Sequence, residues 1–274
     1  MTAYTATING LDLGEGTAYR FQEFPQYLDP GQYLTARVQR QAIDGTRPAG
    51  PDVLPSRELV FVVQMIDTDV DAELLMFDLV AAFGPVRSGT IPFDFTAPGT
   101  ALRVLGRPLG VTPSTNFTKY GKTLARCRFE ATDPRLFSQT EQSMVLGLTG
   151  SGGFTFDLTF DLTFGTSGDN DGTATNEGTW ETSWQASIAG PVTNPEITLG
   201  ETGEKLDLDI TVPAGSTLTL DQWSQSVLLN GSPRQNAVSL TSRWFTLAPG
   251  NNTIRYRAAS GSGQMTLTWR SAWI

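Results

Sequence analysis

From Phe154 to Phe164 every even position is apolar: Phe154, Phe156, Leu158, Phe160, Leu162 and Phe164. Every odd position between them is Thr or Asp. Successive side chains of an extended chain point to opposite faces, so this run has one apolar and one polar face. A period of 3.6 would scatter the phenylalanines around a helix. At roughly 3.3 Å per residue the run reaches about 36 Å, as a strand or as an arm pairing with another sheet. Glycines on both sides, Gly152, Gly153 and Gly165, set it off as an extended arm at 153–165.

Elsewhere the pattern is of short strands and turns. Tyr19–Gln26 and Tyr33–Gln41 read as strands separated by the turn Asp29-Pro30-Gly31. Ile43-Asp44-Gly45-Thr46 predicts a hairpin turn, and Arg47–Pro55 a loop. Glu58–Ile66 is apolar almost throughout, which suits a strand covered on both faces. Asp67, Asp69, Asp71 and Glu73 then lead a helix whose apolar stripe is Leu74, Leu75, Leu79, Ala82 and Phe83, ended by Gly84-Pro85. Further strands are predicted at Gly89–Thr96, Thr100–Leu105 and Lys122–Ala131. The last sets Arg126 and Arg128 against Cys127 and Phe129. After a loop at Gly165–Asn176, strands are predicted near 179–188, 195–199, 205–212, 216–220, 225–229, 237–240, 252–258 and 263–270. Turn signals every eight to twelve residues, with Asn230-Gly231 the strongest, indicate a β-sandwich or jelly roll.

Composition divides the chain. Residues 1–138 carry 13 basic and 15 acidic side chains; residues 139–274 carry 6 and 13, and all six Trp. Two domains are expected, 1–145 and 146–274. The net charge of −9 disfavours strong nucleic-acid binding. There is no histidine, which excludes Ser-His-Asp, Cys-His and His-containing zinc chemistry. The one cysteine, Cys127, is expected to be a buried small hydrophobe. No run of about 18 apolar residues predicts a membrane-spanning helix, and the N-terminus lacks the features of a signal peptide.

The motifs that carry chemistry are weak. Gly121-Lys122-Thr123 copies the end of a phosphate loop, but the required earlier glycine is Asn116 and a strand follows. Asp67 to Asp78 copies a calcium loop with Ala72 where glycine is needed, so acids leading a helix explain it better. Asp169-Asn170-Asp171-Gly172 reads as a surface loop, with weak cation binding the alternative. Carboxylate pairs for glycoside hydrolysis cannot be picked out, and no catalytic residue is assigned. Trp180, Trp184, Trp269 and Trp273 sit in or beside strands and are expected in the core, with sugar stacking the alternative. Arg126 and Arg128 share a polar strand face, either solvated or in contact with another subunit.

Read in order, several segments resemble the distal tail proteins of siphophages. They are Asp133-Pro134-Arg135-Leu136-Phe137, the Gly152–Gly165 arm, Thr175–Thr179, Gly190-Pro191 with Asn194–Ile197, Leu218–Asp221, Val227–Gly231, Trp244–Asn252 and Thr266–Ile274. The resemblance covers about 140 residues closely and the N-terminal half loosely. Relatives commonly have proline where this chain has Asp157 and Asp161. The resemblance implies a mainly β chain: a sandwich-like ring domain with one α-helix, then a galectin-like β-sandwich of jelly-roll type. It implies a virion structural protein and no enzyme, forming a homo-hexameric ring at the distal end of the tail. The ring would join the tail tube protein to the tail-associated (fibre or hub) protein and a receptor-binding protein, and pass DNA without binding it specifically. No cofactor is implied. Candidate contacts are Phe154, Phe156, Leu158, Phe160, Leu162, Phe164, Arg126 and Arg128. Two other readings stay open: a carbohydrate-binding module at the host surface, and a tail-tube subunit, which would form open filaments.

Overall fold

Period-two alternation sorts each strand of the first unit into a core face and a polar face. The computed structural model describes residues 4–29, 33–40, 43–66, 72–113, 123–148 and 170–274, and the arm 153–165 lies outside them. The chain divides into one unit running to Gln139 and a second comprising Thr140–Trp273.

In the first unit the strands are β1 (Thr5–Ile8), β2 (Leu11–Gly14), β3 (Tyr19–Glu23), β4 (Arg37–Gln39), β5 (Thr46–Pro48) and β6 (Arg57–Met65). After the helix α1 (Ala72–Ala82) come β7 (Ile91–Ala97), β8 (Thr100–Pro113), β9 (Thr123–Ala131) and β10 (Leu136–Ser138). The main sheet runs β2-β1-β7-β8-β9-β6-β3, and β10 pairs with β8. Its two edges, β2 and β3, are consecutive in sequence, so the sheet must curl to bring them within reach of one short turn. Phe61 on β6 stacks on Phe93 on β7 with ring centroids 5.5 Å apart and planes 9° apart. Three flat strand spacings would separate them by about 14 Å, so the sheet folds its inner face onto itself. Phe95, Phe129 and Phe83 complete the cluster.

β6 corrects one expectation. Leu59, Phe61, Val63 and Met65 are buried, but Val60, Val62 and Gln64 on the other face are only half-buried. The helix corrects another. Leu75, Leu79, Ala82 and Phe83 face the core, while Leu74 is 58% exposed. One residue around a helix is about 100°, so Leu74 joins Phe77 and Val80 on an outward face. The Tyr19 hydroxyl donates to Leu75 O and Asn9 Nδ2 to Ala82 O, tying the helix to the sheet. Strands β1 and β2 form a hairpin that was not expected. Asn9 (φ 48°) and Gly10 (φ 81°) make its two-residue turn with both φ positive. Part of the expected Arg47–Pro55 loop is β5, paired with β4.

The second unit stacks two sheets. One runs β11 (Gln142–Gly147), β21 (Gln264–Trp269), β13 (Trp184–Ala189), β17 (Thr217–Asp221), β18 (Ser226–Leu229) and β19 (Ser232–Pro233). The other runs β12 (Asp171–Asn176), β20 (Gly250–Gly261), β14 (Val192–Leu199) and β15 (Lys205–Asp207), with β16 (Thr211–Val212) on β14. Between them lies a core that includes Trp184, Ile188, Ile197, Leu218, Tyr256 and Leu267. Asn230-Gly231 forms the turn predicted for it. Three expectations change. β12 occupies part of the expected 165–176 loop, because its polar residues need only Ala174 and Asn176 inward at a sheet edge. β11 belongs to this unit, so the chain passes between units at 139–140. At 237–240 there is a 3-10 turn, Gln235–Ala237, and a single bridge from Val238 to Leu208.

Two outcomes follow. Phe93→Ala empties the centre of the aromatic cluster and should cost about 3–5 kcal/mol, read as a lower denaturation midpoint of the first unit. The Tyr256 ring is fully buried, its hydroxyl has no hydrogen-bond partner among the described residues, and burial pushes its pKa up to about 12. Tyr256→Phe removes that orphan, so the midpoint of the second unit should hold or rise, by up to about 1–3 kcal/mol.

Candidate assembly surfaces

The outer face of the curled sheet is where its charged residues gather. Alternation places Arg20, Arg103, Arg107, Arg126 and Arg128 there, together with Asp12, Glu23, Glu58, Asp94 and Glu130. Among the described residues of these strands the two signs balance, five of each. Two pairs of them neutralise each other locally. Arg103 grips Asp94 through two bonds of 2.6 and 2.7 Å, the fork geometry that suits a carboxylate. Arg128 Nε meets Glu58 Oε1 at 2.6 Å. Arg107 Nε donates to Gly89 O, and Ser56 donates to Glu130.

Of the contact residues expected from sequence, Arg126 and Arg128 both lie exposed on this face of β9. Arg128 is taken up by Glu58 of the same chain, and Arg126 adds to the field on that carboxyl. Phe154, Phe156, Leu158, Phe160, Leu162 and Phe164 lie outside the described residues. Near the end of the unit, Arg135 chelates Asp133 through Nε and Nη2 and lies 5.3 Å from the centre of the Phe137 ring. The Asp133-Pro134-Arg135 sequence thus closes a loop with a nearly buried ion pair.

Sequence reasoning missed two apolar surfaces. Leu34, Val38 and Val53 are exposed on the β4–β5 ribbon, and Leu74, Phe77 and Val80 on α1. The ribbon's signal is the alternation Leu34, Ala36, Val38, but the return strand after Gly45 runs into a Pro- and Gly-rich stretch that predicts a loop.

In the second unit, Trp184 and Trp269 are core residues, and each indole donates to a backbone carbonyl, of Phe245 and Thr175. Trp180 is 41% exposed, against expectation, because its segment is held by single bridges and not a sheet. Trp223, at the tip of the β17–β18 hairpin, is 64% exposed. Asp171, from the loop considered for a cation, begins β12, and Arg257 and Arg255 engage its carboxylate at 2.7 and 3.3 Å. On the same sheet Lys205 pairs with Glu196 at 2.7 Å. Gly121, Lys122 and Asn116 to Thr118 lie outside the described residues. Among the described residues, no group of three His, Cys, Asp or Glu could hold a metal ion, and no helix is long and apolar enough to cross a membrane.

Residues 177–273 match the family model described as the siphovirus-type tail component, C-terminal domain. The chain has the fold of the Dit protein of phage SPP1, described as a paradigm of hub adsorption apparatus in phages infecting Gram-positive bacteria. The TM-score is 0.68 at 16% identity, and the match covers 100% of both chains. A chain of the phage P2 baseplate in its activated conformation with Ca is similar at TM-score 0.53 and 12% identity, covering 98% of each. The strontium form of that baseplate gives the same score and identity, covering 97% of each. No curated protein matches the sequence. The likeness to siphophage distal tail proteins therefore holds for the family model over the second unit and for the fold over the whole chain.

The outer face makes one pH-dependent contribution. The hydrogen bond from Arg128 holds the Glu58 carboxyl below its ordinary 4.5. A depressed carboxyl stabilises the fold above its unfolded pKa, and that stability is lost as pH falls through the folded value. Both groups are exposed, so the effect is small. The difference in melting temperature between the native chain and Arg128→Met should shrink from pH 7 to pH 3.

Proposed function

We propose that the protein is the distal tail subunit of a siphophage-like virion, a structural component of the hub that carries the adhesion apparatus. The observation that carries this reading is a fold shared end to end with a hub protein, combined with a family-model match over the second unit. In this reading six copies close into a ring through the first unit, between the tail tube and the tail-associated protein. The second unit faces outward and docks adhesion components. DNA passes through the ring. The balance of charge among the described residues of the outer face suits that passage, because a wall without net positive charge does not hold a polyanion. Arg126 and Arg128 then lie at or near the lumen or a subunit contact.

The test is the native mass of the purified chain with negative-stain images. Six chains of 29.6 kDa give about 178 kDa, with a central hole. Open filaments would indicate a tail-tube subunit. A stable monomer at all concentrations would shift the reading to a glycan-binding module, for which the exposed Trp223 offers a stacking surface.

A further inference from the structure

Among the described residues the β4–β5 ribbon is two strands with no third. It pairs Arg37 with Pro48, Val38 with Arg47 and Gln39 with Thr46, and is extended by a bridge between Leu34 and Val53. Alternation gives it two unlike faces. Leu34, Ala36 and Val38 share one with Ala49 and Val53, while Thr35, Arg37, Gln39 and Thr46 lie on the other. Arg40 and Arg47 stand at the far end of the apolar face. Leu34 is 60% exposed, and Val38 and Val53 are each 54% exposed. An isolated two-stranded ribbon is marginal in water, and an uncovered apolar face makes it more so.

The outward face of α1 is also apolar but carries the opposite charge. Leu74, Phe77 and Val80 form an apolar strip, exposed 58%, 63% and 46%. The helix contains Glu73 and Asp78 and no basic residue. The two surfaces are of the same order of length, the helix strip being the shorter. Leu74 to Val80 spans about 9 Å of helix, and Leu34 to Val38 about 13 Å of strand.

We infer that the apolar face of the ribbon in one copy packs on the outward face of α1 in the next, with Arg40 and Arg47 beside Asp78. The occupant is a second copy of this chain because the two surfaces complement each other in hydrophobicity and in charge. Each copy carries one of each, so the contact is head-to-tail and repeats around a closed ring. This rests on the ring reading above and supplies the contact that reading lacks.

The test uses two full-length variants, Val38→Cys and Phe77→Cys, expressed separately, mixed and oxidised mildly. The native Cys127 is buried and does not compete. Both substituted positions are exposed, so folding is unaffected. A disulfide in the mixture joins only different copies. A covalent dimer in the mixture, absent from either variant alone, supports the contact. A multimer of normal native mass without that dimer overturns it and leaves the ring reading standing. A disulfide within either variant alone indicates a two-fold contact and overturns the head-to-tail arrangement. A chain that stays monomeric and uncrosslinked at every concentration overturns both.

Discussion

The stacking of Phe61 on Phe93 sets the shape of the first unit. These residues sit on strands separated by two others in the sheet order, so their contact at 5.5 Å exists only if the sheet curls. Chain connectivity demands the same curl, since the edge strands β2 and β3 are neighbours in sequence. Once the sheet is curled, one face of every strand has only the interior to point into. Phenylalanine fills that space efficiently, and α1 closes it with Leu75, Leu79 and Phe83. The charged residues are left on the outside, close enough to pair.

The second unit solves a different problem. Its two sheets pack face to face, but the segments 177–183 and 244–249 cross between them with only isolated bridges. Buried polar side chains replace the missing ladder. Asn176 donates to the carbonyls of Trp180 and Leu247 and accepts from Gly178 N and Ala272 N. Asn252 does the same for Ala174, Ala248 and Gly250. Thr182 and the two buried indoles satisfy further carbonyls. Buried backbone groups must find partners, and here side chains provide them. Gly178 is required by the same crowding, because a Cβ there would sit 1.7 Å from Ala272 O.

Strands with a clean apolar face were legible in the sequence. Lys122–Ala131 and the runs around β14, β17 and β21 announce themselves by alternation, Glu58–Ile66 by a nearly continuous apolar run, and α1 by its acids and its stop. Elements that lacked this signal were not read. β12 is polar and sits at an edge, where pairing with β20 and not burial defines it. The β1–β2 hairpin carried a plain Asn-Gly turn that was overlooked because its strands are only four residues each. Leu74 was assigned to the core because a count of apolar residues cannot say which of two adjacent stripes meets the sheet. The family resemblance rested on short segments in order, and its detail is greatest in the half that the family model also matches. Arg126 and Arg128 were placed on the right kind of face, but no spacing could reveal that Glu58, seventy residues away from Arg128, would take up that guanidinium.

The balance of charge on the outer face of the curled sheet bears on ions as well as on partners. A surface on which Arg103 and Arg128 are taken up by Asp94 and Glu58, and on which the described charges balance, has few condensed ions of its own to give up, and would displace few from a nucleic acid brought beside it. The entropy of counterion release, which makes most nucleic-acid contacts strong in dilute salt and weak in concentrated salt, is then nearly absent. Contact between such a surface and a polyanion would be set by hydration and shape, and would change little with the ionic strength of the surroundings.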